Sequence, residues 1–319
     1  MAWLPGPWAS SLPNEYYREM EGLLMDLFEN KWSLPKSEIE LMITRYLFGR
    51  MEIVREKFIP WMRSGIPNLN NLIVLEVGCG NASVTVPVAQ VCAHVKAFDL
   101  PGPNNHIAER RLQLLNIKNV SLSVHDEEWI NEYSKSPKEK FGNVDIILCH
   151  AVLEHLTIKE RLRFLRSAWD HLPLGGYLIV IETHNRLYYY DWHSSLMPFF
   201  DQLPDDLALL WLAKSDRKSI PSGLKVSNLN DIDAISKDGL YRFGRGCSFH
   251  EFYISIGEGA FENVEPWIID RTSYPGWNQE YIDILKRQLG EITPPVHYAF
   301  AQPSLDFIIR KTAPPAGLL

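Results

Sequence analysis

Two groups of residues in this 319-residue chain have the types and spacing to do chemistry. The first is a turn, Glu76-Val77-Gly78-Cys79-Gly80-Asn81-Ala82, with Asp99 beyond it. Gly78 and Gly80 let the backbone bend tightly with no Cβ in the way, which leaves room for a ligand against the amides that open the next helix. An acid about 20 residues after such a turn suits a ribose hydroxyl, so a nucleotide-like cofactor is expected. The second group lies later in the chain. His150, His184, His193 and His250 are candidate acid–base groups, the last beside Glu251. Tyr188, Tyr189, Tyr190, Trp192, Phe199 and Phe200 could line an apolar pocket, and Arg186, Arg242 and Arg245 could hold a carboxylate or phosphate. Plain structural roles compete for each of these. Glu251 already closes a capping box with Ser248, and His155 reads as a residue that holds its loop. A metal site from His184, Asp191, His193, His250 and Glu251 lacks any recognisable ligand spacing, and no metal is expected.

The elements that must position these groups follow from periodicity. Residues 13–66 have apolar positions mostly three and four apart, with Ser37-x-x-Glu40 as a capping box, and read as an N-terminal helical cap over 1–71. A β-branched run over 72–77 is the first strand, buried in a parallel sheet. Helix follows from Val84 to Val91, then strand over His94–Asp99, helix from Asn105 to Leu115, and strands at Val120–Val124 and Val144–Cys149. Helical spacing over 158–172 and a stop at Pro173-Leu174-Gly175-Gly176 lead to strand five, Tyr177–Glu182. That rhythm argues a doubly wound α/β sheet with its ligand at the carboxyl ends of the strands. The cofactor-binding core therefore covers 72–183. The alternation then stops, and 184–246 reads as a helical and aromatic lid insertion that binds substrate. The core resumes over 247–319 with a helix after Ser248, a strand over Val264–Asp270 and a terminal strand over Leu305–Arg310; only the tail from Ala313 reads as disordered.

Composition limits the function classes. A formal charge of −7 and the absence of any dense cluster of Lys and Arg give no footprint for a nucleic-acid backbone. Cys79, Cys92, Cys149 and Cys247 are isolated, the N-terminal residues lack the pattern of a secretory leader, and no apolar run approaches the roughly 20 residues of a membrane span. A cytoplasmic chain with free thiols and a small-molecule substrate is expected, in an oligomeric state that nothing here specifies.

Two cofactors compete for the glycine turn. A dinucleotide site wants a third glycine, where this chain has Ser83, and Glu76 sits badly beside a pyrophosphate. Glu76 suits a ligand with an ammonium group, such as S-adenosylmethionine. At this point the sequence resembles the class I S-adenosylmethionine-dependent methyltransferases, over roughly 45–311. The Glu76–Ala82 turn is similar to their first motif, with Ala82 where glycine is frequent. His150-Ala151-Val152-Leu153-Glu154-His155-Leu156 resembles the segment after strand four of the ubiquinone-type small-molecule enzymes, and Leu172–Tyr177 their turn before strand five. The resemblance implies a Rossmann-like, seven-stranded sheet whose last strand runs antiparallel. It implies cofactor contacts from Glu76, Gly78, Cys79, Gly80, Asp99, Leu100, Asp126, Glu127 and His150. The acceptor would be chosen by residues such as Arg186, Tyr188, Tyr190, Trp192, Phe199 and Arg245, with one of His150, His184, His193 and His250 as base. O-methylation of a fairly apolar metabolite is the expected reaction; N- or C-methylation, including a prenyl-like acceptor, and a non-catalytic cofactor-binding regulator are alternatives.

Overall fold

Runs of β-branched and aliphatic residues bounded by turns form seven strands: β1 (Ile73–Val77), β2 (His94–Asp99), β3 (Val120–Val124), β4 (Ile146–His150), β5 (Tyr177–His184), β6 (Val264–Pro266) and β7 (Ser304–Arg310). The computed structural model describes residues 5–31, 35–224, 226, 237–262, 264–266 and 276–317. The strands lie in one sheet of order β3-β2-β1-β4-β5-β7-β6, which runs outward from β1 and restarts at β4. β1, β2 and β3 are parallel neighbours. β7 is antiparallel to both β5 and β6, so the expected α/β sheet with a reversed terminal strand is what the chain forms. The chain divides into two compact units, one of Met1–Trp129 with Phe141–Leu148 and the other of Ile130–Lys140 with Cys149–Leu319.

In the first unit the N-terminal segment is helical, as its periodicity predicts. Helix Asn14–Lys31 is followed by a helical run over 36–65 that contains two π-helical stretches, Arg45–Gly49 and Val54–Phe58. Tyr16, Met20, Leu24, Leu47 and Met51 from this segment share one apolar cluster with Val86, Ile107, Ala108 and Leu112. Arg111, wholly buried, joins the parts: its guanidinium donates to the carbonyls of Asn81 (2.8 Å), Leu47 (3.1 Å) and Tyr46 (2.8 Å) and to the Tyr16 hydroxyl (2.5 Å). The N-terminal helices thereby hold the far end of the glycine turn. The Ser37 capping box does not form. Pro35 is the N-cap and supplies a fixed φ of −57°, so the helix starts at Lys36 and Ser37 falls inside its first turn.

In the second unit, helix Ile158–His171 starts at a capping box of Thr157 and Glu160, and helix Phe249–Ile256 at the expected box of Ser248 and Glu251. Arg161 repeats the device of Arg111. It is fully buried and donates to the carbonyls of Leu153 (2.7 Å), Gly246 (3.0 Å), Arg245 (2.5 Å) and Glu154 (3.2 Å). The 184–246 segment has its own apolar cluster of Phe200, Ala208, Leu209, Leu212, Ile220, Leu224, Val226 and Leu240, so Phe200 is core. At the C-terminal end one expectation is only partly tested and one changes. β6 spans Val264–Pro266, and the rest of the strand expected to Asp270 lies outside the described residues. The tail expected to be disordered from Ala313 is docked at 316–317: Ala316 N donates to Ile256 O at 3.3 Å, and a Cβ on Gly317 would lie 2.2 Å from Ile254 O. Residues 318–319 lie outside the described residues.

Candidate active site

The glycine turn closes β1 in the first unit. Gly78 and Gly80 have φ of +69° and +54°, the left-handed region that glycine enters without cost. Ala82, where the resemblance expects glycine, is also left-handed at φ +61° and is fully buried in the apolar cluster. Asp99, at the end of β2, accepts the Gly80 amide at 2.5 Å on one oxygen and the Leu100 amide at 2.7 Å on the other, which locks the turn against β2. A Cβ placed on Gly80 would meet nothing within 4 Å, so open space lies against the turn. Glu76 is buried, and its Oε2 makes no well-formed hydrogen bond. Burial, with Asp99 nearby, pushes its carboxyl up to about 8. A buried carboxyl beside an open turn fits a ligand that brings a cation, and the turn has the room such a ligand needs. The Cys79 thiol is buried and held in its neutral form by that burial. Leu100 is 39% exposed, and Asp126 and Glu127 are exposed just beyond β3, where Asp126 Oδ1 accepts the Glu128 amide at 3.0 Å.

The second unit gathers three of the four histidines in pairs with carboxylates that the sequence does not announce. At the end of β4, His150 Nε2 lies 3.6 Å from Glu182 Oε2. Glu182 sits in a β-bulge at φ +56°, a conformation that costs a non-glycine residue about 1–2 kcal/mol. His184, at the end of β5, is buried with Nε2 2.6 Å from Asp201 Oδ2 and 3.6 Å from Asp191 Oδ1. Burial alone would lower the imidazole pKa, but these two carboxylates reverse it and raise it above its ordinary value. Asp201 is held down at about 2 by His184 and Arg245, against its own burial. Asp191 accepts the amides of His193, Ser194 and Ser195, which folds the backbone around it.

His193 Nε2 lies 3.8 Å from Glu154 Oε1. The Ser194 hydroxyl donates to Gly244 O at 2.7 Å, so it accepts from His193 Nδ1 at 3.1 Å and leaves Nε2 as the lone-pair nitrogen. Burial and the neighbouring imidazoles keep His193 neutral, while burial raises the Glu154 carboxyl to about 7. His155 is part of the same group: Nδ1 donates to Arg242 O at 3.0 Å, and its ring meets His193 edge to face at 5.0 Å. Ligating atoms of Glu154, His155 and His193 lie within 4.8 Å of one another, as do those of His184, Asp191 and Asp201, and both sets have ligand types that divalent cations accept.

His250 stands apart from these pairs. It stacks on Phe249 at 3.9 Å and its Nδ1 meets Ser248 Oγ at 3.0 Å, while the Glu251 carboxylate serves the Ser248 cap and faces Arg161 at 3.3 Å, so no His250–Glu251 dyad forms. Arg245 is spent inside the protein on Phe200 O, Leu203 O, Asp201 and Asp205. Arg242 forms a two-pronged pair with Glu160. Arg186 donates to Asp201 O at 3.0 Å. Tyr188 is buried, its hydroxyl bonded to Gly276 O and the Asn278 amide at 2.8 Å each; Tyr190 OH donates to Leu196 O, and Trp192 Nε1 to Pro303 O at 3.4 Å. Tyr189 is the centre of the aromatic group, with ring centroids of Tyr188, Tyr281 and Phe199 at 5.1, 5.0 and 5.9 Å. Phe199, left-handed at φ +58°, is 56% exposed. Among residues that sequence reasoning missed, Glu182 had a signal: it is the one charged residue in the run Tyr177–His184.

Residues 74–176 match the family model described as a methyltransferase domain. A ubiquinone biosynthesis O-methyltransferase of Bordetella avium is 24% identical over 178 residues, 56% of this chain and 66% of that protein. A protein-L-isoaspartate O-methyltransferase of Photobacterium profundum is 25% identical over 56% of this chain and 75% of its own length. Ubiquinone biosynthesis O-methyltransferases of Xanthomonas campestris are 27% identical over 113 residues, and the chain spans only 43% of their length. The glycine turn with its buried glutamate, the sheet with a reversed last strand and the methyltransferase domain matched over residues 74–176 together support a class I S-adenosylmethionine-dependent methyltransferase.

Proposed function

We propose that the chain moves a methyl group from S-adenosylmethionine to a hydroxyl oxygen of a small, fairly apolar or aromatic metabolite. The observation that carries the donor is Glu76, a buried carboxyl whose Oε2 makes no well-formed hydrogen bond, beside the open Gly80 turn. In this reading Glu76 meets the ammonium group, Asp99 takes the ribose hydroxyls, Leu100 lies against the adenine, and Asp126 or Glu127 takes its amino group. The aromatic group around Tyr189, with Phe199 exposed, supports an apolar or aromatic acceptor. The net charge of −7 speaks against a nucleic-acid acceptor.

The sulfonium is already activated, so the protein's main task is to hold the acceptor in line and keep water out. Such positioning is worth up to about 7–11 kcal/mol of barrier. A hydroxyl acceptor also gives up a proton, and a placed imidazole adds roughly 10²–10⁴ in rate. Titration calorimetry with S-adenosylmethionine and with NAD tests the donor: S-adenosylmethionine binds, NAD does not, and Asp99→Ala weakens binding at least tenfold. Equal affinity in Asp99→Ala would defeat the donor site. The acceptor class is tested by mass spectrometry of mixtures with a panel of catechols, phenols and amines. Product on amines alone would replace the oxygen reading with N-methylation, and cofactor binding with no product would leave a regulator.

A further inference from the structure

β5 ends on His184, and the segment that follows brings two carboxylates back to it: His184 Nε2 lies 2.6 Å from Asp201 Oδ2 and 3.6 Å from Asp191 Oδ1. All three residues belong to the second unit, are 1%, 1% and 2% exposed in chain order, and present ligating atoms within 4.8 Å of one another. An imidazolium wedged between two aspartates is the plain account of such a group. It needs an N–H aimed at a carboxylate, yet neither ring nitrogen of His184 makes a well-formed hydrogen bond, and neither does Asp201 Oδ2. Buried polar atoms left in that state are rare and costly, and they point to a missing partner between them. The carboxylates are meanwhile fixed from outside the group. Asp191 Oδ1 accepts the amides of His193 (2.9 Å) and Ser194 (2.8 Å), and its Oδ2 accepts that of Ser195 (2.5 Å). Asp201 Oδ1, the oxygen turned away from His184, accepts the Gly246 amide at 3.1 Å and faces Arg245 at 3.5 Å. Support of this kind is what orients carboxylates that ligate a metal.

We propose that His184, Asp191 and Asp201 bind one divalent cation of the zinc type, which pins the 184–246 segment to the end of β5. The donor set selects the ion: one imidazole nitrogen with two carboxylate oxygens suits zinc, whereas magnesium and calcium take all-oxygen sets. Ligand atoms about 2.0–2.2 Å from a tetrahedral ion stand about 3.4 Å apart, so the His184–Asp191 spacing already fits and the His184–Asp201 contact opens by about 0.8 Å. With all three side chains buried, the ion is taken up as the chain folds, and its role is structural. It closes the two loops that run from β5 to Asp191 and on to Asp201. The five residues weighed from the sequence included His184 and Asp191 but not Asp201, which only the fold brings to them. This site does not depend on the methyl-transfer reading above.

The test uses the full chain, purified from zinc-supplemented medium, with metal content by mass spectrometry and the metal's surroundings by X-ray absorption. One zinc per chain is expected, in a shell of nitrogen and oxygen at about 2.0–2.1 Å that contains a single imidazole and no sulfur. Removing the zinc with a chelator lowers Tm by about 5 °C; adding Zn²⁺ back restores it, and Mg²⁺ does not. Asp201→Asn weakens zinc binding by about 100-fold or more. Asp201→His, which keeps a ligand atom, retains the zinc and shows a second imidazole in the absorption spectrum, a result no buried ion pair can give and one that decides the matter if Asp201→Asn does not fold. His193→Gln, which alters the neighbouring Glu154–His155–His193 group, keeps the metal. A chain without zinc whose Tm does not respond to Zn²⁺ overturns the proposal. So does a wild-type spectrum with two imidazoles, or zinc lost in His193→Gln and kept in Asp201→Asn, since either moves the metal to the neighbouring group. None of these measurements uses S-adenosylmethionine, so failure of the methyl-transfer reading leaves them unaffected.

Discussion

The buried carboxyls are where function and proton balance meet at the scale of single residues. Glu76 has a raised pKa of about 8 because it is buried, with the Asp99 charge nearby adding to the effect. A ligand whose ammonium group approaches it would stabilise the carboxylate and pull that pKa below neutrality. Binding at pH 7 should therefore release a proton. Calorimetry in buffers of different ionisation enthalpy would report close to one proton released, with affinity rising from pH 6 to about 8 and then levelling. Glu76→Gln should bind more weakly and release none. A release that survives in Glu76→Gln would assign the proton elsewhere and remove Glu76 from the donor site.

At the scale of elements, each unit is tied by a buried arginine whose guanidinium satisfies loop carbonyls. Arg111 joins the N-terminal helices to the glycine turn through Asn81 O. Arg161 joins the turn at Leu153–Glu154 to the 245–246 backbone. Arg111→Met removes four charge-assisted hydrogen bonds and leaves buried carbonyls unpaired, so a loss of roughly 3 kcal/mol or more in urea unfolding is expected. Because Asn81 belongs to the turn, S-adenosylmethionine affinity should fall in the same variant; an unchanged affinity would make the N-terminal helices mere packing. These arginines also mark what the sequence could not disclose. The glycine turn, Asp99 and the strands follow local rules, since glycine at left-handed positions and β-branched runs leave their mark within a few residues. The Ser248 box was legible for that reason. Ser37 followed the same rule and failed, because Pro35 starts the helix two residues earlier. Partners such as Glu182 for His150, Asp201 for His184 and Glu154 for His193 come from chain segments 17 to 39 residues away or across strands, and periodicity carries no information about them. Arg245 looked like an anion anchor for want of that information.

For the whole molecule, the same groups set how stability depends on pH. Glu76 and Glu154 have folded pKa values raised to about 8 and about 7, and His184 is raised by its two aspartates. Each holds its proton in the fold at a pH where the unfolded chain has released it, so each contributes stability that is lost as pH rises through its folded pKa. Asp201, lowered to about 2, acts in the opposite sense, but its window closes below its ordinary value of 3.8. His193, lowered, also acts in the opposite sense, and its window closes at 6.5. Above pH 6.5 the contributions of Glu76, Glu154 and His184 share one sign. The melting temperature of the chain without cofactor or metal should therefore fall from pH 6.5 to about 8. Glu76→Gln should flatten the part due to the first unit and His184→Asn part of that due to the second. Saturating S-adenosylmethionine should flatten the Glu76 part as well, since ligand binding has already released that proton to solvent. A slope unchanged by both substitutions would mean that these buried groups do not hold their protons in the fold, and with that the basis for the proton released on binding would be gone.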